Sequence, residues 1–179
     1  IFFSLIFQNN LDTIPKLDLR NSKGIKLHEL SLENIISDSR ISKSIHLSLN
    51  EIDIIKNKAK LFVPSPVHKD DIIVISTNKG VMKFKFYVDM APNHCYNFKK
   101  LANSSFYDET LFHRVIKNFI IQGGDILSRD NNTENDGIGG PGWTIDAELS
   151  KLKHIKGTLS MSKSTTNINS AGSQFFISL

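Results

Sequence analysis

The chain has 179 residues, enough for one domain or for a small domain with an appended segment. A hydrophobic content of 40% and a charged content of 22% are typical of a globular protein and exclude a disordered one. The net charge of +4 is only mildly basic and the lysines are scattered, so we predict no nucleic-acid partner. The single cysteine, Cys95, excludes an internal disulfide and leaves the compartment open.

Both ends of the chain are predicted to be cut, because it begins with Ile1 and stops inside the apolar run "SQFFISL". The opening "IFFSLIF" is too short to cross a bilayer, so we predict no membrane span. Two interpretations of it stay open, namely the remnant of a secretory signal and the last turn of a preceding core element. The localisation is therefore either cytoplasmic or, if the run is a signal remnant, periplasmic or secreted.

Residues 1–62 are predicted to form a helical appendage or the end of an upstream domain. Ser48 or Asn50 is a candidate cap for a helix over "NEIDIIKNKAKLF", and a second helix is predicted around residues 27–36. We interpret this segment as a packing element or as a docking site for a larger assembly. The apolar residues that recur at helical spacing are Ile41, Ile45, Leu49, Ile52 and Ile55.

Residues 63–69 are predicted to be a linker, because the prolines of "VPSPVH" forbid a helix, and residues 70–179 a separate domain. "DIIVISTNKGVMKFKFY" predicts an antiparallel hairpin that turns at "TNKG" and buries Met82, Phe84 and Phe86 on one face. Pro92 opens a helix over "APNHCYNFKKLANSSFYD". Further strands are predicted in "FHRVI", "FIIQ", "HIKGTLSMSKS" and "SQFFISL", which together indicate a mainly β barrel or sandwich.

Several motifs resemble metal, phosphate or thiol sites but lack a residue or a geometry that such sites need. The spacing of "NNTENDG" resembles a calcium loop, but Trp143 stands where calcium needs a bidentate carboxylate. "GIGGPG" lacks a following helix start and is interpreted as a turn. Neighbouring residues on a helix point apart, so His94 and Cys95 are not predicted to act as a base and nucleophile. The histidines show no paired metal spacing, His113 is interpreted as structural, and we predict neither a metal nor a cofactor.

The stretch "FHRVIKNFIIQGGD" places Arg114 and Gln122 inside an apolar, strand-forming run. Taken alone, such groups on a sheet are usually solvated or paired. The stretch is followed in order by "GGPGWTIDAE", "KGTLSMSKS" and "GSQFFIS", and these four blocks resemble the cyclophilins, the peptidyl-prolyl cis-trans isomerase family, in their bacterial-style form. The resemblance covers residue 70 to the end. It implies a closed, eight-stranded antiparallel barrel with capping helices and a peptide groove on its outer surface.

The resemblance assigns the catalytic arginine to Arg114. Two departures accompany it. "SKS" replaces the family's usual Ala-Asn-Ala, which predicts an altered substrate preference. "FISL" precedes the family's last strands and second helix, so we expect a domain incomplete at its C-terminus, with a proline pocket that lacks one wall. The positions that the resemblance assigns to substrate binding are Phe119, Ile120, Gln122, Gly137, Ser162, Lys163, Ser164, Gln174 and Phe176.

The implied activity is the acceleration of X-Pro bond rotation without a cofactor, in assistance of protein folding. The implied partners are proline-containing peptides and unfolded or folding proteins, with docking through the N-terminal helical segment as a further expectation. The alternative is a catalytically weak module that binds proline peptides or serves as a scaffold. Catalysis with and without Arg114 separates the two.

Overall fold

The computed structural model describes residues 47–179, and every helix and strand below belongs to this part. The predictions made for the opening apolar run, for the helix around residues 27–36 and for Ile41 and Ile45 lie outside the described residues. The wider helical segment over 1–62 and the domain boundaries at 62 and 70 therefore stay predictions.

The first helix, α1, spans Leu49–Leu61 and begins at a capping box. Ser48 is the N-cap, its hydroxyl accepts from the Glu51 N–H, and the Glu51 carboxylate accepts from the Ser48 N–H at 2.8 Å. The helix ends at Phe62, whose backbone is extended, two residues before Pro64. The predicted helix and its Ser48 cap are thus present.

The hairpin consists of β1, Ile72–Thr77, and β2, Gly80–Lys85, which pair antiparallel with Thr77 opposite Gly80. Gly80 has φ +135°, a backbone conformation that glycine adopts without strain. Phe84 is buried while its neighbours Lys83 and Lys85 are exposed, as the alternation predicts.

Helix α2 spans Pro92–Asn103 and has its proline at the start, as predicted. Its N-terminus is capped from a distant loop. Glu148 accepts from the backbone N–H groups of Asn93 and His94, each at 2.9 Å, and its carboxylate lies 2.8 Å from the His94 ring Nδ1. Residues more than fifty positions apart in sequence make this cap, so the local sequence gives no sign of it.

The remaining strands form one four-stranded antiparallel sheet in the order β3-β4-β6-β5. Between β4 and β5 lie two 3-10 turns, Ile126–Arg129 and Thr133–Asn135, in a segment that the sequence predicted as a polar loop. The strand bounds are Arg114–Ile116 for β3, Ile120–Gly123 for β4, Leu159–Met161 for β5 and Phe175–Ser178 for β6.

The predicted closed eight-stranded barrel is not found among residues 47–179. Closing a barrel requires every edge strand to pair with another strand. Here β1 and β2 pair with each other, while β3 and β5 are the edges of the four-stranded sheet and have no ladder to the hairpin. The described fold is mainly β, with two separate sheets.

Two apolar clusters form the core of the described part. The larger one joins the hairpin, α2 and the four-stranded sheet, and Phe84, Phe98 and Leu159 are among its buried members. The smaller one lies beneath α1. The buried residues of the smaller cluster are Ile52, Ala59, Leu101, Phe106 and Ile126.

No helix in the stretch 47–179 is long and apolar enough to cross a membrane.

Candidate active site

Strand register brings the key polar and aromatic side chains into one row. Arg114 on β3 is the cross-strand partner of Gln122 on β4, and Gln122 is the partner of Phe176 on β6. Directly opposed residues in an antiparallel sheet project from the same face. The arginine, the glutamine and the phenylalanine therefore stand side by side on one surface of the sheet.

A relay of side-chain hydrogen bonds orients the arginine. Arg114 Nη1 donates to Gln122 Oε1 at 3.2 Å, and Gln122 Nε2 donates to Gln174 Oε1 at 2.9 Å. Gln174 Nε2 in turn donates to the carbonyl oxygens of Gly137 and Gly139, each at 2.8 Å. Both amide orientations are fixed by this chain, because each glutamine oxygen accepts from the preceding group.

An apolar cup of about 390 Å³ lies beside the guanidinium. Phe119, Ile120 and Phe176 form its apolar lining, and Arg114 and Gln122 form part of its rim. Ile120 is 7% exposed and makes the floor, whereas Phe119 is 60% exposed. Concave pockets that are mostly apolar and carry a few polar groups are typical of sites for small ligands.

A second and larger cavity, of about 880 Å³, adjoins the cup. It is lined by the glycine-rich loop 137–142, by Trp143 and by the residues that follow β5. The cup and the cavity share the lining residues Arg114, Gln122 and Ser162, and we refer to the two together as the groove. All of the residues that the sequence assigned to the site line it: Arg114, Phe119, Ile120, Gln122, Gly137, Ser162, Lys163, Ser164, Gln174 and Phe176.

The glycine loop is held by a buried carboxylate that the sequence reasoning missed. Asp125, 0% exposed, accepts from the backbone N–H groups of Leu127 at 2.8 Å, Gly137 at 2.6 Å and Gly139 at 3.0 Å. A Cβ atom at Gly139 would collide with the Asp125 side chain, so this position requires glycine. The aspartate that ends "QGGD" therefore sets the shape of the larger cavity.

Trp143, His154 and Lys156 also line the groove and were not predicted. Trp143, the chain's single tryptophan, donates from Nε1 to Asn97 Oδ1 at 2.9 Å. The His154 ring lies 5.4 Å from that of Phe176, centroid to centroid. Two sequence signals could have identified these residues. Trp143 stands next to the glycine loop, and His154 and Lys156 stand just before β5.

Other nucleophile and metal candidates do not form sites. Cys95 is 3% exposed, and burial, followed by the charge of Glu148, raises the pKa of its thiol to about 12, which keeps it protonated. In the segment 47–179, no group of three or more His, Cys, Asp or Glu is arranged to hold a metal ion. The ring of His113 lies next to Gly137, because a Cβ atom added to Gly137 would be 3.6 Å from His113 Nε2.

The fold and the groove define a class of protein: an antiparallel sheet that presents a guanidinium beside an apolar cup on its surface. Residues 72–179 match the family model described as cyclophilin type peptidyl-prolyl cis-trans isomerase/CLD. The chain belongs to this family, as the sequence motifs predicted.

Relatives and a solved structure agree with this assignment. The chain is similar to a peptidyl-prolyl cis-trans isomerase of Synechococcus elongatus, with 41% identity over 58% of this chain and 66% of that protein. It is 44% identical to peptidyl-prolyl cis-trans isomerase 9 of Schizosaccharomyces pombe over 58% of this chain and 16% of that protein. The chain thus spans just under two thirds of the first relative and a small part of the second.

Among solved structures, the chain is similar to a Cryptosporidium parvum cyclophilin type peptidyl-prolyl cis-trans isomerase crystallised in the presence of the dipeptide Ala-Pro. The TM-score is 0.54 at 39% identity, and the match covers 60% of this chain and 67% of that one. This likeness supports a cyclophilin fold for the described sheets.

Proposed function

We propose that the protein is a peptidyl-prolyl cis-trans isomerase with Arg114 as its catalytic residue. One observation carries the proposal. The Arg114 guanidinium is held 3.2 Å from Gln122 at the rim of a cup lined by Phe119, Ile120 and Phe176. The family membership of residues 72–179 supports the same reading.

The reaction needs a cationic hydrogen-bond donor more than it needs a nucleophile. Amide resonance sets a rotation barrier of ~18–20 kcal/mol, while the cis and trans forms of X-Pro differ by only about 0.5–1 kcal/mol. As the bond twists, the prolyl nitrogen becomes pyramidal and gains a lone pair. A fixed donor aimed at that nitrogen stabilises the twisted state more than the planar one and so lowers the barrier.

Each part of the groove has a role in this mechanism. The cup holds the pyrrolidine ring, and Gln122 fixes the guanidinium at the ring's edge. The backbone of 162–164, together with Gln174, holds the rest of the peptide, so one side of the bond is anchored while the other rotates. Arginine suits the role because it is charged at any working pH and its donors form a rigid fork. No cofactor takes part.

The proposed substrates are proline-containing segments of unfolded or folding proteins. The Ala-Pro dipeptide named for the Cryptosporidium parvum structure supports recognition of proline peptides by this groove. Two finer features of the family resemblance remain part of the proposal: closure of the sheets into an eight-stranded barrel, and docking through the N-terminal segment.

The test is the isomerisation rate of an Ala-Pro peptide with the full chain, with Arg114→Ala and with Arg114→Lys. We expect Arg114→Ala to lower kcat/KM about 10²–10³-fold, as loss of one transition-state donor does. Arg114→Lys keeps the charge without the fork and should recover part of the loss. Lys79→Ala, in the exposed hairpin turn, is the control and should match the parent chain.

Equal rates for the parent chain and Arg114→Ala would end the catalytic proposal. Peptide binding without any rate enhancement would select the alternative, a proline-peptide binding module. The replacement of the family's Ala-Asn-Ala by Ser162-Lys163-Ser164 is the observation that favours this second function.

A further inference from the structure

We propose that His154 is a positioning residue for the candidate site, because its ring supports Phe176 and thereby sets the size of the imino-acid ring that the cup accepts. This inference rests on the proposed function and deepens it. His154 lines the cup together with Phe176, and the centroids of the two rings lie 5.4 Å apart with their planes inclined by 52°. Aromatic rings attract each other at separations of about 4.5–7 Å when they are tilted or offset.

The sheet neighbours of Phe176 give its ring little apolar support. Its cross-strand partners on the same face are Gln122 on β4 and Ser160 on β5. Its neighbours along β6 on that face are Gln174 and Ser178, two residues away on either side. All four side chains are polar, and the two serines are too short to pack along a phenyl ring. The histidine contact therefore reaches the phenyl ring from outside the sheet.

The turn that carries His154 is fixed to the strand that carries Phe176. Gly157 N–H donates to the Ser178 carbonyl at 2.8 Å, and Ser178 N–H donates to the Thr158 carbonyl at 2.9 Å. Thr158 is 0% exposed, so this end of the turn is anchored in the core. The backbone thus sets the relative position of the two rings.

Phe176 is the wall of the cup that this contact can move. The floor, Ile120, is 7% exposed and lies on β4, which pairs with a strand on each side. Removal of the His154 ring leaves a cavity beside Phe176, into which the phenyl ring can turn. The wall then recedes, and the cup admits a larger ring than that of proline.

The size of the effect follows from the contribution of one aromatic contact. Such a pair favours its packed arrangement by a factor of about two to ten. Loss of the pair should change the preference between a five-membered and a six-membered ring by a similar factor. A role of His154 as a polar partner of the peptide would depend on its ring nitrogens instead. Phenylalanine keeps the ring and glutamine keeps only the polarity, so these two substitutions separate the roles.

The experiment uses the full chain and two seven-residue peptides, one with a central Ala-Pro bond and one with a central Ala-pipecolyl bond, whose ring has six members. We measure kcat/KM by exchange NMR and Kd by titration for both peptides. The variants are His154→Ala, His154→Gln and His154→Phe. The matched control is His68→Ala, an exposed histidine ahead of β1 that lines neither the cup nor the larger cavity. The ratio of kcat/KM between the two peptides is independent of the folded fraction, so a destabilised variant still gives an answer.

We expect the proline-to-pipecolyl ratio to fall about two- to tenfold in His154→Ala and His154→Gln and to return to near the parent value in His154→Phe. His68→Ala should keep the parent ratio. A parent-like ratio in His154→Ala or His154→Gln, or a ratio in His154→Phe as low as that in His154→Ala, would overturn the inference. If the parent chain binds both peptides but accelerates neither, the proposed function fails, and the same ratios taken from Kd still decide the role of His154. Absence of binding would overturn both proposals.

Discussion

The substitution Asp125→Asn tests how the glycine loop is held. The side chain keeps its size, but one acceptor oxygen becomes an NH₂ group. In the structure, one Asp125 oxygen accepts from Leu127 N–H and the other accepts from Gly137 and Gly139 N–H. Whichever way the new amide turns, its NH₂ group faces at least one backbone donor, which is then left unsatisfied in a site that is 0% exposed.

The cost follows bond by bond. If the amide oxygen faces the two glycines, the bond from Leu127 is lost, at about 1.5–3 kcal/mol for a charged acceptor. The two remaining bonds change from charged to neutral acceptors and weaken by about 1 kcal/mol each. Because the variant no longer buries a charge, part of this loss is offset. The net loss of unfolding free energy is about 2–3 kcal/mol, or about 10 °C in Tm for a unit of this size.

The assay is thermal and urea unfolding followed by the fluorescence of Trp143, which lies next to the glycine loop. Asp53→Asn is the matched control. This carboxylate is exposed on α1 and pairs with Lys56 at 3.6 Å, so its loss should cost under about 0.5 kcal/mol. The proposed isomerase activity should also fall for Asp125→Asn, since the carbonyls that orient Gln174 move with the loop. Equal stability of the two variants would refute this account of the loop.

Two further predictions concern packing and acid stability. Ile52→Ala should cost about 2–4 kcal/mol because the side chain is 1% exposed, while Ile54→Ala, 65% exposed, should change stability by under about 0.5 kcal/mol; urea midpoints compare them. Burial raises the pKa of Glu148, but the hydrogen bonds from Asn93 and His94 together lower it by a larger amount, so the pKa lies below its ordinary 4.5. Its stabilisation is therefore complete above pH 4.5 and lost as the pH falls through the folded-state pKa. The stability gap between the parent chain and Glu148→Gln should accordingly close in acid titrations, and a gap that is constant with pH would contradict this.

The sequence predicted the features that depend on short-range patterns. The Ser48 cap, the hairpin turn at Gly80 and the Pro92 helix start are local, and the structure has all three. The row of Arg114 and Gln122 follows from strand alternation once the hairpin between β3 and β4 is recognised. The resemblance to the family assigned the other groove positions, and these residues line the same two pockets in the structure.

The features that the sequence did not reveal depend on contacts between distant segments. Glu148 reaches the start of α2 across more than fifty residues, and Asp125 reaches Gly137 and Gly139 across a loop whose two 3-10 turns have no periodic signal. Strand pairing beyond a hairpin is set by side-chain packing across the sheet, so the predicted barrel closure could not be judged from the strands alone.

Helix α1 lies before the region that defines the family, yet it packs against that region. Leu101 and Phe106 are both 0% exposed in the cluster beneath the helix, and Lys100 ties the helix to the groove wall. Its Nζ donates to the Lys60 carbonyl at 2.9 Å and lies 5.4 Å from the Trp143 ring centroid. A protein shortened to residues 72–179 would expose the apolar residues beneath the helix to water. The smallest fragment that keeps this packing when it is expressed alone therefore begins before Ser48.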